Sequence, residues 1–340
     1  MDTHLAQTDA LPWLLEPDPA NPGVRYFALR DLLGRPANDP EVHQAQVAAM
    51  TIGPIPAILD AQHPEGYWVK PGAGYSPKYQ GSVWQIILLA ELGADPADAR
   101  VRQGCDYLLR HNLAVTGAFS ANRLSAPSGV LHCLNGNLVY ALIQLGFADD
   151  PRVQTAVTWQ AQAIIGHEAI TYYASGTSGP GFACGVNGKL PCAWGANKAM
   201  KALVAIPPAQ RTPLVEQAIA LGVEFLFSRD PAVADYPTSD QVSGTWFKLG
   251  FPLSYWSDML ETATVLAEVG YGDDPRLDPA IRFILDKQVA PGRWKLENSL
   301  NGKMWLDIEK RGKPSKWVTL RAMRLLQRRT RWEETYVPQH

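Results

Sequence analysis

The chain repeats one turn. Leu33-Gly34…Asp39-Pro40, Leu92-Gly93…Asp95-Pro96, Leu145-Gly146…Asp150-Pro151 and Gly270…Asp274-Pro275 each follow an apolar helical stretch and precede another. Self-similarity on this scale means that one supersecondary unit is used several times, and it restricts the fold more than any single motif. The turn explains itself residue by residue. Glycine takes the left-handed conformation that ends a helix, Asp accepts N–H groups at the start of the next, and Pro in its first turn has no needed N–H to lose. The marks recur about every 53 to 64 residues, which suits a helical hairpin plus a long loop rather than the shorter solenoid repeats.

The spacing of apolar residues predicts first helices over 25–33, 82–92, 134–145, 193–205, 255–269 and 315–327. Leu134, Leu138, Leu142 and Leu145 mark one of them, and Leu260, Val265 and Val269 another. Second helices are expected over 40–61, 97–110, 151–164, 211–228 and 276–287. The fourth unit departs from the pattern: Ile206-Pro207-Pro208 replaces Leu-Gly, and Thr212-Pro213 supplies the cap. The sixth unit lacks chain for a partner helix. A short N-terminal helix over 10–16 fills that gap if the array closes on itself.

The 340 residues are 46% hydrophobic and 19% charged, ample for a core, and the formal net charge of −2 gives no basis for a nucleic-acid partner. No stretch approaches the roughly 18 apolar residues of a membrane span, and the first 19 residues do not read as a secretion signal. A cytoplasmic protein with no membrane insertion is expected. The four cysteines are too few for a disulfide scaffold. Eleven tryptophans supply either a repeat core or an aromatic-lined cavity.

Two loops share a second signature, Gln62…Gly66-Tyr67-Trp68 and Gln288…Gly292-Arg293-Trp294, each after an outer-type helix. A Trp stacked back on the Gln would tie a helix end to the next loop. These QxxxGxW loops after paired helices resemble the terpenoid cyclase and protein prenyltransferase superfamily, with its squalene-cyclase-like repeats. The resemblance covers about residues 25–328. It implies a single all-α domain over 1–340, an α/α toroid of about six hairpins around a central cavity, with residues 1–24 as an arm and 329–340 as a tail.

In such a toroid the inner helices start at one mouth, and chemistry is expected there. Those starts read Leu131-His132-Cys133-Leu134-Asn135-Gly136-Asn137, Pro191-Cys192-Ala193-Trp194, Tyr255-Trp256-Ser257-Asp258 and Ser315-Lys316-Trp317. Helix N-termini favour thiolates, and zinc takes Cys and His ligands within about 4 Å of one another. Cys133, Cys184 and Cys192 would supply three ligands, with His132 or Asp258 the fourth. The resemblance is consistent with such an ion: protein prenyltransferases hold zinc with Asp, Cys and His, and lanthionine cyclases, similar in structure, with two Cys and one His. Neither full motif is present, and buried structural thiols or a Cys184–Cys192 disulfide explain the same residues. Cys105 reads as core.

The DxDD acid motif of class II terpene cyclases is absent, as is the DDxxD motif of class I. Asp149-Asp150 and Asp273-Asp274 are the repeat's own caps. Asp258, beside Tyr255 and Trp256, is the candidate acid if an apolar pocket keeps it protonated, and otherwise the cap of its helix; Glu261, one turn further along, is its partner or a surface charge. Trp84, Trp194, Trp256, Trp305 and Trp317 are candidates to line the pocket and stabilise a carbocation, or else simply fill the mouth. Asn137, Lys198 and Lys316 are further candidate substrate contacts. Lys198, Lys316, Arg321 and Arg324 lie on inner helices where an anion could be held, and Arg321, Arg324 and Arg328 share one helical face, which a solvated C-terminal surface explains equally well. The stretch Met304–Glu309 is expected as an extended loop over the mouth, and Ala174–Gly181 as a lid.

The expected function is a terpene cyclase- or prenyltransferase-like enzyme acting on a hydrophobic, isoprenoid substrate in the central cavity. A non-catalytic binding or scaffold toroid and a zinc-dependent thiol- or peptide-modifying enzyme resembling lanthionine cyclases are the alternatives.

Overall fold

A computed structural model describes residues 10–121, 129–167, 178–233, 243–289 and 292–329. The fold is all-α. A short helix α1 (10–15) leads into α2 (Pro22–Phe27), α3 (Pro40–Thr51), α4 (Pro54–Asp60), α5 (Ser82–Leu92), α6 (Ala99–His111) and α7 (His132–Gln144). Then follow α8 (Pro151–Ile165), α9 (Ala193–Val204), α10 (Pro213–Leu226), α11 (Met259–Leu266), α12 (Asp278–Asp286) and α13 (Lys316–Leu326). The only strands among the described residues, β1 (Gln288–Val289) and β2 (Arg293–Trp294), form one antiparallel ribbon.

The repeated turn does what its residues dictate. Gly34, Gly93, Gly146 and Gly270 stand at φ +62°, +85°, +81° and +103°. The carboxylates of Asp39, Asp150 and Asp274 accept the N–H groups of Glu41, Arg152 and Arg276 at 2.8, 2.8 and 2.9 Å. The second unit differs from expectation. The Asp95 carboxylate accepts Ala97 N–H, ahead of the helix, and the cap is Asp98, bound by Arg100 N–H at 2.8 Å, so α6 starts at Ala99. The expected helix over 40–61 is two helices, because Ile52 is extended and Gly53 sits at φ +81°. Two inner helices also end in π-helical turns, Ala28–Leu32 after α2 and Ala267–Tyr271 after α11.

Around the ring α5 packs on α7, α7 on α9, α9 on α11, α11 on α13 and α13 on α2. Small residues let the helices approach. A Cβ on Gly136 of α7 would lie 2.4 Å from the Lys198 carbonyl oxygen of α9. A Cβ on Gly23 would lie 2.2 Å from the Leu92 carbonyl oxygen, so α2 abuts the end of α5 and closes the circle. The N-terminal segment seats on the last unit. Arg293 lies over the Trp13 ring at 4.2 Å, and Trp317 Nε1 donates to Asn21 Oδ1 at 2.9 Å.

The two Trp loops are built alike. Trp68 Nε1 donates to the Ile58 carbonyl and Trp294 Nε1 to the Ile284 carbonyl, each at 2.7 Å. Their backbone N–H groups donate to Ser82 Oγ and Thr319 Oγ1, each at 3.1 Å. Each buried indole thus binds the outer helix behind it to the inner helix ahead. Gln62 and Trp68 meet over Gly104 of α6, whose added Cβ would lie 2.8 Å from the indole ring.

Candidate functional site

A central cavity of about 620 Å³ is bounded by residues of all six inner helices. Its wall is set by the second halves of those helices: Glu91 on α5, Tyr140 and Gln144 on α7, Lys201 on α9, Glu268 after α11. Helix α13 adds Arg321 and Arg324, with Gln327 and Arg328 just after its end. Its apolar floor includes Phe27, Leu253, and Phe251 stacked on Trp317 with ring centroids 4.4 Å apart. The size lies in the range of small-molecule sites.

The cavity lies mostly toward the ends of the inner helices, reached from helix starts by Glu261 and Trp317, whereas the sequence expectation put the chemistry at the starts. The starts are plugged. Trp84, Trp194 and Trp256 pack around Tyr255 with ring centroids 6.3, 6.3 and 6.0 Å away. Tyr79 stacks on the same ring at 6.3 Å.

The cavity wall is charged: six basic side chains (Arg30, Lys201, Arg211, Arg321, Arg324, Arg328) face four acidic ones (Asp31, Glu91, Glu261, Glu268). Helix ends attract cations through their unpaired carbonyls, and Arg211 is spent in this way, donating to the Val204 and Ile206 carbonyls. Arg324 pairs with Asp31, and Arg328 with Glu268 at 3.2 Å. Lys201 sits 4.2 Å over the Tyr140 ring and 3.6 Å from Glu91. Glu261 is buried and takes both carboxylate contacts of Lys198 at 2.7 Å and the Ser257 hydroxyl at 2.6 Å. Burial opposes ionisation of Glu261, but Lys198, Lys201 and Arg321 outweigh it and hold its pKa below the usual range.

Of the two readings of Asp258, acid or helix cap, its contacts are those of the cap. Its Oδ1 caps α11 by accepting Glu261 N–H at 2.8 Å, and its Oδ2 accepts Gly250 N–H at 3.0 Å. Both oxygens also accept from Arg321, at 2.7 and 2.8 Å. Four such donors call for a carboxylate, since a proton on either oxygen would displace one of them. Glu261 is likewise committed to cations and is no proton partner to Asp258. Tyr255 accepts from the Tyr79 hydroxyl at 3.2 Å and from Lys78 at 2.8 Å. Burial would raise its pKa, yet Lys78 and Tyr79 bring it below the ordinary phenol value.

The other expected contacts scatter. Of the five tryptophans, Trp317 is the one that borders the cavity, and Trp305 is a third exposed on the surface. Asn137 donates to the Ser254 carbonyl at 3.0 Å, a structural tie. Lys198 is fully buried against Glu261. Lys316 points to the N-terminal arm, 3.4 Å from the Glu16 carbonyl and 3.5 Å from Asp18. Of the expected lid, 174–177 lie outside the described residues.

Cys133, Cys184 and Cys192 are free thiols near enough to act on one another electrostatically. Burial raises Cys192 to about 11 despite its place at the start of α9. His132 is turned away from them. Its Nδ1 faces Gln160 Nε2 at 2.6 Å and its Nε2 faces the Gly179 carbonyl at 2.9 Å, so neither nitrogen is available as a ligand. Among the described residues no three His, Cys, Asp or Glu side chains converge as metal ligands would. The donor set as arranged does not fit a tetrahedral zinc.

Sequence reasoning missed Arg30, Asp31, Glu91, Tyr140, Lys201 and Glu268. A signal existed: Glu91, Gln144 and Glu268 each stand two residues before the turn glycine, on the inner helix of their unit. All three border the cavity.

No protein-family model and no curated protein sequence matches this chain. Solved structures similar to it include the following two. One is a protein from Actinoplanes, 16% identical, over 96% of this chain and 98% of that one, with a TM-score of 0.46. The other is the type II terpene cyclase MstE from Scytonema in its apo form, 16% identical, over 94% and 96%, with a TM-score of 0.44. The helical ring itself is established by the chain's own contacts. No helix among the described residues is long and apolar enough to cross a membrane.

Proposed function

We propose that the toroid takes an anionic, partly apolar small molecule into its central cavity, and that an isoprenoid phosphate or diphosphate is the isoprenoid form of such a compound. The supporting observation is the pairing of an arginine-rich wall (Arg30, Arg321, Arg324, Arg328) with an aromatic floor (Phe27, Phe251, Trp317) in one cavity. A neutral hydrocarbon would strip water from those charges and return nothing. A phosphate returns charge-assisted, bidentate hydrogen bonds to guanidinium groups. The resemblance to the cyclase and prenyltransferase group therefore points here toward a prenyl diphosphate rather than toward alkene protonation. With an allylic diphosphate, the arginines would carry charge that develops on the leaving group.

Calorimetric titration separates the possibilities. Farnesyl diphosphate should bind at least about tenfold more tightly than either farnesol or inorganic pyrophosphate, because only it uses both wall and floor. Farnesol binding as tightly as its diphosphate would favour a hydrocarbon site, and no binding of any of the three would remove the reading.

A further inference from the structure

We infer that the cavity mouth is an anion seat occupied by two of the protein's own carboxylates, Asp31 and Glu268, which an incoming anion must displace from Arg324 and Arg328. The inference rests on the reading of the cavity as a site for an anionic compound, and adds how that site is guarded.

Two π-helical turns occur among the described residues, Ala28–Leu32 and Ala267–Tyr271. Such turns are rare and gather at functional sites, because the wider turn re-aims side chains at a cost to the helix. Both follow helices that pack on α13. Each delivers a carboxylate to the cavity, and each carboxylate meets a different basic residue at the C-terminal end of α13. Asp31 pairs with Arg324, and Glu268 with Arg328 at 3.2 Å. The second turn is bent by Gly270 at φ +103°.

The basic side is organised to hold an anion. Arg30 and Arg324 lie over the Phe27 ring at 4.8 and 4.6 Å, so their guanidinium planes are set by an aromatic surface. Arg324 Nε is buried without a hydrogen-bond partner. The pairs are nevertheless reachable from solvent, with side-chain exposure of 26% for Arg324, 47% for Arg328 and 28% for Glu268.

The two carboxylates differ as latches. For Asp31 burial opposes ionisation, but Arg324 and Arg30 outweigh it and hold it below the usual carboxylate range. For Glu268 burial pushes the pKa up. The charges that face it, Arg328, Lys201 and Arg324, only partly offset that, and Asp31 adds to it. Glu268 is therefore the latch that opens first as pH falls: its protonation frees Arg328 for an anion.

The test uses inorganic sulfate, which stays a dianion from pH 5.5 to 8, titrated into the full chain at constant ionic strength. At pH 7.5 Glu268→Gln should bind sulfate about tenfold more tightly than the unaltered protein, within the usual span of coupling energies. Lowering the pH to 5.5 should tighten binding to the unaltered protein more than to the variant. Arg328→Gln should lose affinity. Equal affinity of Glu268→Gln and the unaltered protein at pH 7.5 would overturn the inference. If Glu268→Gln fails to melt cooperatively, Glu268→Ser serves the same comparison. Sulfate bound by neither protein while farnesyl diphosphate binds both would remove the latch and leave the cavity reading intact. Loss of both ligands would remove both.

Discussion

Asp258 illustrates how a residue's role follows from what surrounds it rather than from its place in the chain. At the start of an inner helix beside Tyr255 and Trp256, it reads equally as a helix cap or as an acid in an apolar pocket. Arg321, 63 residues further on, is what decides that reading, and no local pattern pairs the two. Breaking the pair leaves a partly buried guanidinium without its counter-ion. Asp258→Asn should destabilise the protein by about 3 kcal/mol in urea unfolding. A change under about 0.5 kcal/mol with loss of an activity would instead return Asp258 to the acid role. His132 shows the same limit. Its sequence neighbour is Cys133, but its ring contacts are Gln160 on α8 and the Gly179 carbonyl in the loop beyond it. What the sequence did disclose at this scale was the shared face of Arg321, Arg324 and Arg328, because that face is a matter of helical spacing alone.

At the scale of the element, local rules carried most of the structure. Turn glycines, aspartate caps and helix-first prolines stand where the repeat puts them, since each acts on its own few residues. Asp150→Ala should cost about 1 kcal/mol, the usual worth of an N-cap, as read by thermal melting. The failures are local competitions that periodicity cannot see. Asp98 rather than Asp95 caps α6, and Gly53 divides the helix expected over 40–61. Tight crossings were equally hidden, because they depend on which helices meet. Gly104→Ala would drive a methyl group into the Trp68 indole, and overpacking of this kind costs about 1–3 kcal/mol. An unchanged melting temperature in that variant would mean that the Trp68 loop is not the tie described above.

Across the whole molecule, charge burial couples stability to pH. His132 is buried and its pKa is pushed down to about 4. The unfolded value is near 6.5, so this group supports folding above pH 6.5 and its contribution is lost as pH falls toward 4. Asp31 and Glu261, both held below their ordinary values, add losses at lower pH still. Glu268, held above its ordinary value, works the other way and relieves a penalty on protonation. The balance predicts a melting temperature lower at pH 4.5 than at pH 7, with a smaller drop in His132→Gln. An identical drop in that variant would place the proton uptake elsewhere.

The ring was legible in the sequence because it is the sum of its repeated turns. Where the cavity opens was not, because it depends on how side chains from six helices fill the middle. The most direct measurement is a crystal structure of the full chain with farnesyl diphosphate. The account predicts the diphosphate against Arg324 and Arg328, displacing the Glu268 carboxylate, and the prenyl chain along Phe27, Phe251 and Trp317. Density for the ligand at Tyr255 and the helix starts, with the cavity empty, would contradict it.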